Sequence, residues 1–202
     1  AVSNGIDLSK YKKDPKKEEV FRKHFNIQEG EKVVLCAGLY FRRKGIEDFV
    51  EVARRMPDVR FIWLGSINKW LIPRAIRRLV EKDHPSNVEF PGYFKGAVFQ
   101  GAMTGADAFF FPSYEETEGI VVLEALAGHQ HVVLRDIPVY HGWVDQESAE
   151  LCHSVDEFVD SLEKVLSGQV DKRDAGDRVA QSRSIDLVAD QLVKAYQQVL
   201  EM

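Results

Sequence analysis

The segment between residues 108 and 128 constrains the fold of this chain more than any other. Its apolar run AFFF, at 108–111, ends at Pro-Ser, which is typical of a buried strand that enters a turn. Acids lie in the loop that follows, and Gly119 then begins a stretch rich in Val, Leu and Ala that predicts a helix. We therefore predict a strand–loop–helix unit with carboxylates at the carboxyl end of the strand. In open α/β sheets this edge is where ligands bind.

Two carboxylates of this unit stand eight residues apart, Glu116 in the loop and Glu124 in the predicted helix. An ionised carboxylate on an apolar helix needs solvent or a polar ligand, and it accepts hydrogen bonds from hydroxyl groups such as those of a sugar or ribose. The amides of Gly119, Ile120 and Val121, at the helix start, can bind an anion. Two alternatives remain open: acids that only complement the helix dipole, with Glu124 at an exposed edge, or the carboxylate pair of a glycosidase.

A run of three cations lies between the first predicted strand, KVVLCAG at 32–38, and a predicted helix, GIEDFVEVARRM at 45–56. Arg42, Arg43 and Lys44 thus crowd the amino terminus of a helix, where the dipole prefers acids. A local rule that is broken without visible compensation often marks a functional site. Three cations together with free helix amides form a good cradle for a diphosphate. An ordinary basic turn in water is the alternative.

The rest of the chain alternates between strand-like and helix-like segments. An LGS turn that contains Ser66 follows the second strand, and Tyr93 follows the third. This alternation predicts one α/β domain over residues 1–202, with a doubly wound, parallel, Rossmann-like sheet. The further strands are predicted at 60–64, 88–91, 131–134 and 150–152, and the further helices at 69–82, 97–105, 155–166 and 185–200.

The predicted helix at 69–82, KWLIPRAIRRLVEK, is basic and amphipathic. Arg74, Arg77 and Arg78 lie opposite its apolar side, and Trp70 lies at its start. Such a helix can rest on an anionic membrane, but more often it packs its apolar side on its own sheet. The two arrangements are compatible if only the basic side meets lipid headgroups.

Composition excludes several classes of protein. The net charge of −5 argues against a nucleic-acid partner. Cys36 and Cys152 each lie in an apolar run, so we expect buried free thiols and a reducing, cytoplasmic compartment.

His129 and His131 have no acid or Cys at ligand spacing, so we predict no metal site. The chain has no P-loop and no GxGxxG motif. Its opening residues look like the middle of a longer protein, and we expect an excised domain.

The motifs form an ordered series along the chain. NGID comes first, followed by a loop ending in RRKG, the LGS turn, NVEFPGY, GADAFFFPS and two glutamates separated by seven residues. This series resembles the carboxyl-terminal, nucleotide-sugar-binding domain of retaining GT-B glycosyltransferases of family 4, over nearly the whole chain. In that family two Rossmann-like domains face each other across a cleft. The resemblance implies that this chain is the donor-binding half and that the amino-terminal acceptor domain is absent from it.

The resemblance also implies roles for individual residues. Glu116 matches the glutamate that contacts the transferred sugar, and Glu124 matches the one that binds the ribose. Residues 119–121 match the amides that meet the sugar and the diphosphate. Lys44 matches the lysine that neutralises the diphosphate leaving group, and Tyr93 lies near the base. In this family the leaving phosphate assists attack on the same face of the sugar, and no metal is required.

The chain departs from the family at three places. The family usually has an arginine directly after the first-loop glycine, Gly38, but Leu39 stands there, so Arg42 or Arg43 is expected to supply that charge. We also expect Gly38 and Ser66 to contact the donor.

The two other departures flank the predicted helix. Glu118 precedes Gly119 where the motif commonly has Phe, and His-Gln-His at 129–131 replaces the usual Gly-x-Pro. With these features, GLYFRRKGIEDF and FPSYEETEGIVVLEAL look most like the bacterial 1,2-diacylglycerol 3-glucosyltransferases, which make monoglucosyl diacylglycerol from UDP-glucose.

This closer resemblance implies a UDP-sugar donor, no cofactor, and a lipid acceptor bound through the missing domain. It also implies a peripheral position at the inner face of the cell membrane. Two alternatives remain open. One is a family 4 domain for another donor, such as GDP-mannose or UDP-N-acetylglucosamine. The other is a non-catalytic module that binds a nucleotide sugar or a membrane surface.

Overall fold

The computed structural model describes residues 4–200, apart from the side chain of Lys69; residues 1–3 and 201–202 of the predicted domain lie outside the described residues. The strands are β1 Val33–Ala37, β2 Arg60–Leu64, β3 Val88–Gly92, β4 Ala108–Phe111, β5 Val132–Arg135 and β6 Glu150–Cys152. They form one sheet in the order β3-β2-β1-β4-β5-β6, and every neighbouring pair is parallel. The predicted doubly wound α/β fold is confirmed.

Helices cover both faces of this sheet. They are α1 Pro15–His24, α2 Ile46–Arg55, α3 Arg74–Glu81, α4 Ala97–Gly105, α5 Ile120–Ala127, α6 Val155–Leu166, α7 Arg173–Ser182 and α8 Ile185–Leu200. One layer contains α2, α3 and α6, and the other contains α1, α4, α5 and α7. Helix α8 has no buried residue along its described length, and several of its apolar side chains are exposed.

The strand order has its switch point between β1 and β4. These strands are neighbours in the sheet, although β2 and β3 lie between them in sequence. The chain thus builds outward from β1 in one direction and from β4 in the other. At such a switch point the loops after the two strands part and leave a crevice.

The strands are apolar because both faces of the sheet are covered. Phe109, Phe110 and Phe111 are fully buried, and the ring of Phe110 stacks on that of Phe49 in α2 with centroids 5.8 Å apart. Burial of each such ring contributes about 1.5–3 kcal/mol. The thiols of Cys36 and Cys152 are free and buried, as predicted.

One helix prediction was wrong, and one helix was missed. The segment 69–82 is not one helix: a short 3-10 helix at Lys69–Leu71 is separated from α3 by Pro73, because proline lacks the amide donor and forces the preceding residue into an extended conformation. Helix α7 was not predicted, because its sequence is polar and contains Gly176. That glycine lets α7 approach α5, since a β-carbon there would lie 2.7 Å from Leu126 Cδ2.

Helices α1 and α4 pack closely because α4 contains two glycines. A β-carbon on Gly101 would lie 2.0 Å from the carbonyl oxygen of Lys17, and one on Gly105 would lie 3.0 Å from Cγ of Glu18. In sequence these glycines weaken the helix prediction, since glycine costs about 1 kcal/mol relative to alanine. In the structure they permit a neighbouring helix to approach.

We expect Gly101→Ala to lower the free energy of unfolding by about 2 kcal/mol, because overpacking against a rigid carbonyl outweighs the gain in helix propensity. Gly105→Ala is the matched control and should cost less, since its β-carbon meets a flexible side chain. Urea unfolding followed by circular dichroism measures both variants. An unchanged or higher unfolding free energy for Gly101→Ala would contradict the close approach of the two helices.

Candidate functional site

A cavity of about 410 Å³ lies at the switch point, beyond the carboxyl ends of β1, β2 and β4. Its volume falls in the range of small-molecule sites. The structure brings eight of the predicted site residues together in its lining. They are Gly38, Arg43, Lys44, Tyr93, Glu116, Gly119, Ile120 and Val121.

Close backbone contacts fix the floor of this cavity. The amide of Gly38 donates to the carbonyl of Leu64 at 2.9 Å, and the indole of Trp63 donates to the carbonyl of Gly38 at 2.9 Å. Gly65 has φ +154°, and a β-carbon on it would lie 1.9 Å from Gly38 O. Only glycine therefore fits at position 65, which lets the ends of β1 and β2 meet.

The basic turn places a lysine against the acidic loop. Residues 42–44 form a 3-10 helix, and Gly45 follows with φ +77°, where a β-carbon would lie 2.3 Å from the carbonyl oxygen of Pro112. Lys44 Nζ therefore reaches Glu116 Oε1 at 2.5 Å, and it lies 5.3 Å from the ring centroid of Phe111. The lysine side chain is 12% exposed and the glutamate side chain 7%, so both charges are largely desolvated.

The two arginines of the basic turn have different partners. Arg42 forms an ion pair with Glu47 at 2.9 Å and does not line the cavity. Arg43 lines the cavity, and its Nη1 donates to the carbonyl oxygen of Glu115 at 3.0 Å. Leu39 also lines the cavity, with its side chain half exposed. Of the two arginines that could supply the charge missing at position 39, the geometry favours Arg43.

Helix α5 begins with unused amide donors that face this cavity. Gly119 is its N-cap, with φ +79° and no side-chain cap. Within residues 4–200, the N–H groups of Gly119, Ile120 and Val121 donate no hydrogen bond. Such donors, together with the positive end of the helix dipole, favour an anion.

Glu124 lies in α5, as predicted, but it is not among the residues that line the cavity. The hydroxyl of Tyr11 donates to Glu124 Oε1. Burial raises the pKa of the Glu124 carboxyl, and the bond from Tyr11 and the charge of Lys10 act in the opposite direction. Its role toward a ribose stays a prediction. Tyr11 was missed because it lies more than 100 positions from Glu124 in sequence.

The prediction of Ser66 as a site residue is not supported, because Ser66 is exposed and does not line the cavity. Its neighbour Gly65 does line it and was not predicted, and other lining residues were also missed. Phe94 and Thr117 add apolar and hydroxyl surface to the lining, next to the largely exposed Tyr93. Their positions directly beside predicted site residues were the available signal.

A second, larger groove of about 980 Å³ lies at the opposite edge of the sheet. His129 and His131 line this groove rather than the switch-point cavity. The described part of the chain contains no group of three or more His, Cys, Asp or Glu side chains placed to hold a metal ion. Whether the protein's reaction needs a metal stays a prediction.

The family of the chain follows from comparison with known proteins. Residues 17–182 match the family described as Glycosyl transferases group 1. The match covers most of the chain, which therefore belongs to this family, and the predicted resemblance to glycosyltransferases is confirmed.

One curated relative matches the whole of this chain. The chain is 48% identical over 204 aligned residues to the processive diacylglycerol alpha-glucosyltransferase of Acholeplasma laidlawii, an alignment that covers 100% of this chain and 61% of that protein. The chain thus spans about three fifths of the relative's length.

Solved structures of glycosyltransferases share the fold. Sucrose-phosphate synthase from Thermosynechococcus elongatus superposes with a TM-score of 0.85 at 21% identity, over 99% of this chain and 52% of that one. HepE of Anabaena, in complex with UDP-glucose, superposes with a TM-score of 0.84 at 16% identity, over 98% of this chain and 57% of that one. These likenesses show that the chain has the architecture of one half of a GT-B fold.

The buried position of Glu124 predicts that the stability of the fold depends on pH. Because its pKa is raised above the ordinary value of 4.5, the charged form opposes folding, and stability is lost as pH rises through the folded pKa. We expect Glu124→Gln to raise the melting temperature of the free protein at pH 7.5, and the gain to shrink toward pH 4. Glu163→Gln, on α6, is the matched control. An equal gain in melting temperature at both pH values would contradict a raised pKa for Glu124.

Proposed function

We propose that this chain is the donor-binding half of a retaining glycosyltransferase that moves glucose from UDP-glucose to a diacylglycerol acceptor. The observation that carries the proposal is the placement of Lys44 and Glu116 beside the free amides at the start of α5, in one cavity at the switch point. The name of the 48% identical relative, a processive diacylglycerol alpha-glucosyltransferase, supports the transfer of glucose and the lipid acceptor.

A diphosphate fits the cationic side of the cavity. Lys44 and Arg43 line it from one side, and the amides of residues 119–121 line it from the other. Charge-assisted hydrogen bonds from these donors are about twice as strong as neutral ones. Because the charge of a nucleoside diphosphate grows as it leaves the sugar, the same donors stabilise the transition state more than the ground state. In this proposal no metal is required for that task.

The carboxylates then bind hydroxyl groups on either side of the diphosphate. Lys44 donates to Glu116 Oε1, and we assign Glu116 to the hydroxyls of the transferred sugar. Glu124 is assigned to the ribose, and Tyr93, at the rim of the cavity, to the base. In a retaining reaction the nucleophile attacks the face from which the diphosphate leaves, so the leaving phosphate oxygen can take the acceptor's proton.

The acceptor requires a second domain. We propose that it lies outside the 202 residues of this chain, because the homologous relative is longer than the aligned region. Helix α8 supports this proposal: its exposed apolar side chains include Val199 and Leu200, which nothing in the described chain covers. A second GT-B half packed there would bury them.

We expect UDP to bind the chain and Lys44→Met to weaken binding by about tenfold or more, because a charge-assisted phosphate contact worth about 1.5–3 kcal/mol is lost. Isothermal titration calorimetry measures both affinities. Lys194→Met, an equal change of charge on α8, is the control and should bind like the wild type.

Loss of the lysine alone leaves a buried carboxylate without its partner, which can unfold the protein. The double variant Lys44→Met with Glu116→Gln removes both charges and serves as a second test. We expect it to fold, as judged by circular dichroism, and still to lose UDP affinity. Wild-type affinity in a folded variant of either kind would refute the assignment of Lys44 to the diphosphate.

We also propose that the protein rests peripherally on the cytoplasmic face of the membrane. No described helix is both long and apolar enough to span a bilayer. The indole of Trp70 is 85% exposed, and the guanidinium of Arg77 lies 5.8 Å from its ring centroid. Exposed Leu71 and Arg74 adjoin this pair, which gives the mixed apolar and cationic surface that suits an anionic lipid interface.

We expect the chain to float with vesicles that contain anionic phosphatidylglycerol and to stay unbound with neutral phosphatidylcholine vesicles. The double variant Trp70→Ala with Arg74→Gln should lose at least half of the bound fraction. Arg178→Gln, an exposed cation on α7, is the control. Equal flotation of the wild type and the double variant would place membrane contact elsewhere.

A further inference from the structure

Tyr140 has a buried hydroxyl that no group in the described chain satisfies. The residue ends a short 3-10 helix at Pro138–Tyr140, directly after β5, and its side chain is fully buried. Its hydroxyl oxygen has no hydrogen-bond partner within residues 4–200. Native proteins rarely leave a buried polar atom unpaired, because such an atom has lost its bonds to water without replacement.

The ring of Tyr140 lies beside the candidate site, in contact with Gly119, although Tyr140 itself does not line the cavity. A β-carbon on Gly119 would lie 3.2 Å from the Tyr140 hydroxyl oxygen and 2.8 Å from Cε1 of its ring. The ring therefore packs directly against the N-cap of α5, where the free amides begin. This contact also explains why position 119 needs glycine, beyond its positive φ of +79°.

The carboxylate of Glu116 is a charged group close enough to the Tyr140 hydroxyl to affect its pKa. Burial raises the pKa of the Tyr140 hydroxyl, and the negative charge of Glu116 raises it further, so the hydroxyl keeps its proton and can donate it. In the free protein Glu116 accepts from Lys44 through Oε1, while Oε2 accepts no hydrogen bond from the described residues. The hydroxyl of Tyr140 thus lacks an acceptor, Glu116 Oε2 lacks a donor among the described residues, and the two residues lie close enough for the charge of Glu116 to act on the hydroxyl.

We infer that Tyr140 is a positioning residue for Glu116 in the donor-bound protein. This inference rests on the proposed function. A bound diphosphate draws Lys44 toward its own oxygens, and Glu116 then loses part of its only described hydrogen bond. The hydroxyl of Tyr140 donates to the freed carboxylate and holds it toward the hydroxyls of the transferred sugar.

The inference predicts that Tyr140→Phe separates binding of the sugar from binding of the nucleotide. Removal of the hydroxyl should lower the affinity for UDP-glucose by about three- to tenfold more than the affinity for UDP, since the hydroxyl positions Glu116 for the sugar, which UDP lacks. It should also leave the melting temperature of the free protein unchanged or higher, because an unsatisfied polar atom is removed. Tyr196→Phe, which removes an exposed hydroxyl on α8, is the matched control.

Calorimetric titrations of the wild-type chain and both variants with UDP and with UDP-glucose test this. An equal loss for both ligands, or no loss for either, would refute the role of Tyr140, as would a fall in melting temperature with an unchanged affinity ratio. If the wild-type chain binds neither ligand, the proposed function fails and the inference fails with it. A wild-type chain that binds both ligands with a ratio unaltered by Tyr140→Phe refutes the inference alone.

Discussion

The ion pair between Lys44 and Glu116 joins the two loops on which the candidate site depends. Taking both charges out of water costs several kcal/mol, and a buried pair often adds little net stability over an apolar pair of equal size. Stabilisation of the fold therefore does not by itself explain why this pair is buried. It lies at the edge of the sheet where the loops after β1 and β4 part. In the proposed function a diphosphate replaces the carboxylate as partner of the lysine, so the free protein keeps both charges compensated until the ligand binds.

A second set of contacts makes that pair possible by holding the loop after β4 against the start of α2. Buried Arg135, at the end of β5, donates to the carbonyl of Pro112 at 3.0 Å and to the carboxylate of Asp48 in α2. The backbone N–H of Tyr114 donates to the carbonyl of Arg43 at 2.8 Å. These contacts link β4, β5 and α2 through the buried side chain of Arg135 and one backbone hydrogen bond, and they hold the loop after β4 in place.

Much of the fold could be predicted from the sequence, because buried parallel strands appear as short apolar runs and the helices between them have their own period. The strand at 60–64 and the helices at 97–105 and 155–166 have the bounds that were predicted. Predictions failed where tertiary packing overrides local preference, as for α7, whose glycine serves contact with α5. For the site, residues within the motifs were predicted, whereas Tyr11 and Tyr140 could not be, because only the fold brings them to α5.

The structure shows the contacts that residues make where the chain departs from the family motif. Arg43 reaches the switch-point cavity from the 3-10 turn, and we propose it as the equivalent of the charge that the family usually places at position 39. Glu118, in place of the usual aromatic residue, accepts from the backbone amide of Asn4 at 2.9 Å and from Arg183 at 3.3 Å. The acidic loop is thereby held by Lys44 on one side and by both ends of the domain on the other. What the site requires is charge and rigidity at given points in space, and several sequences can supply them.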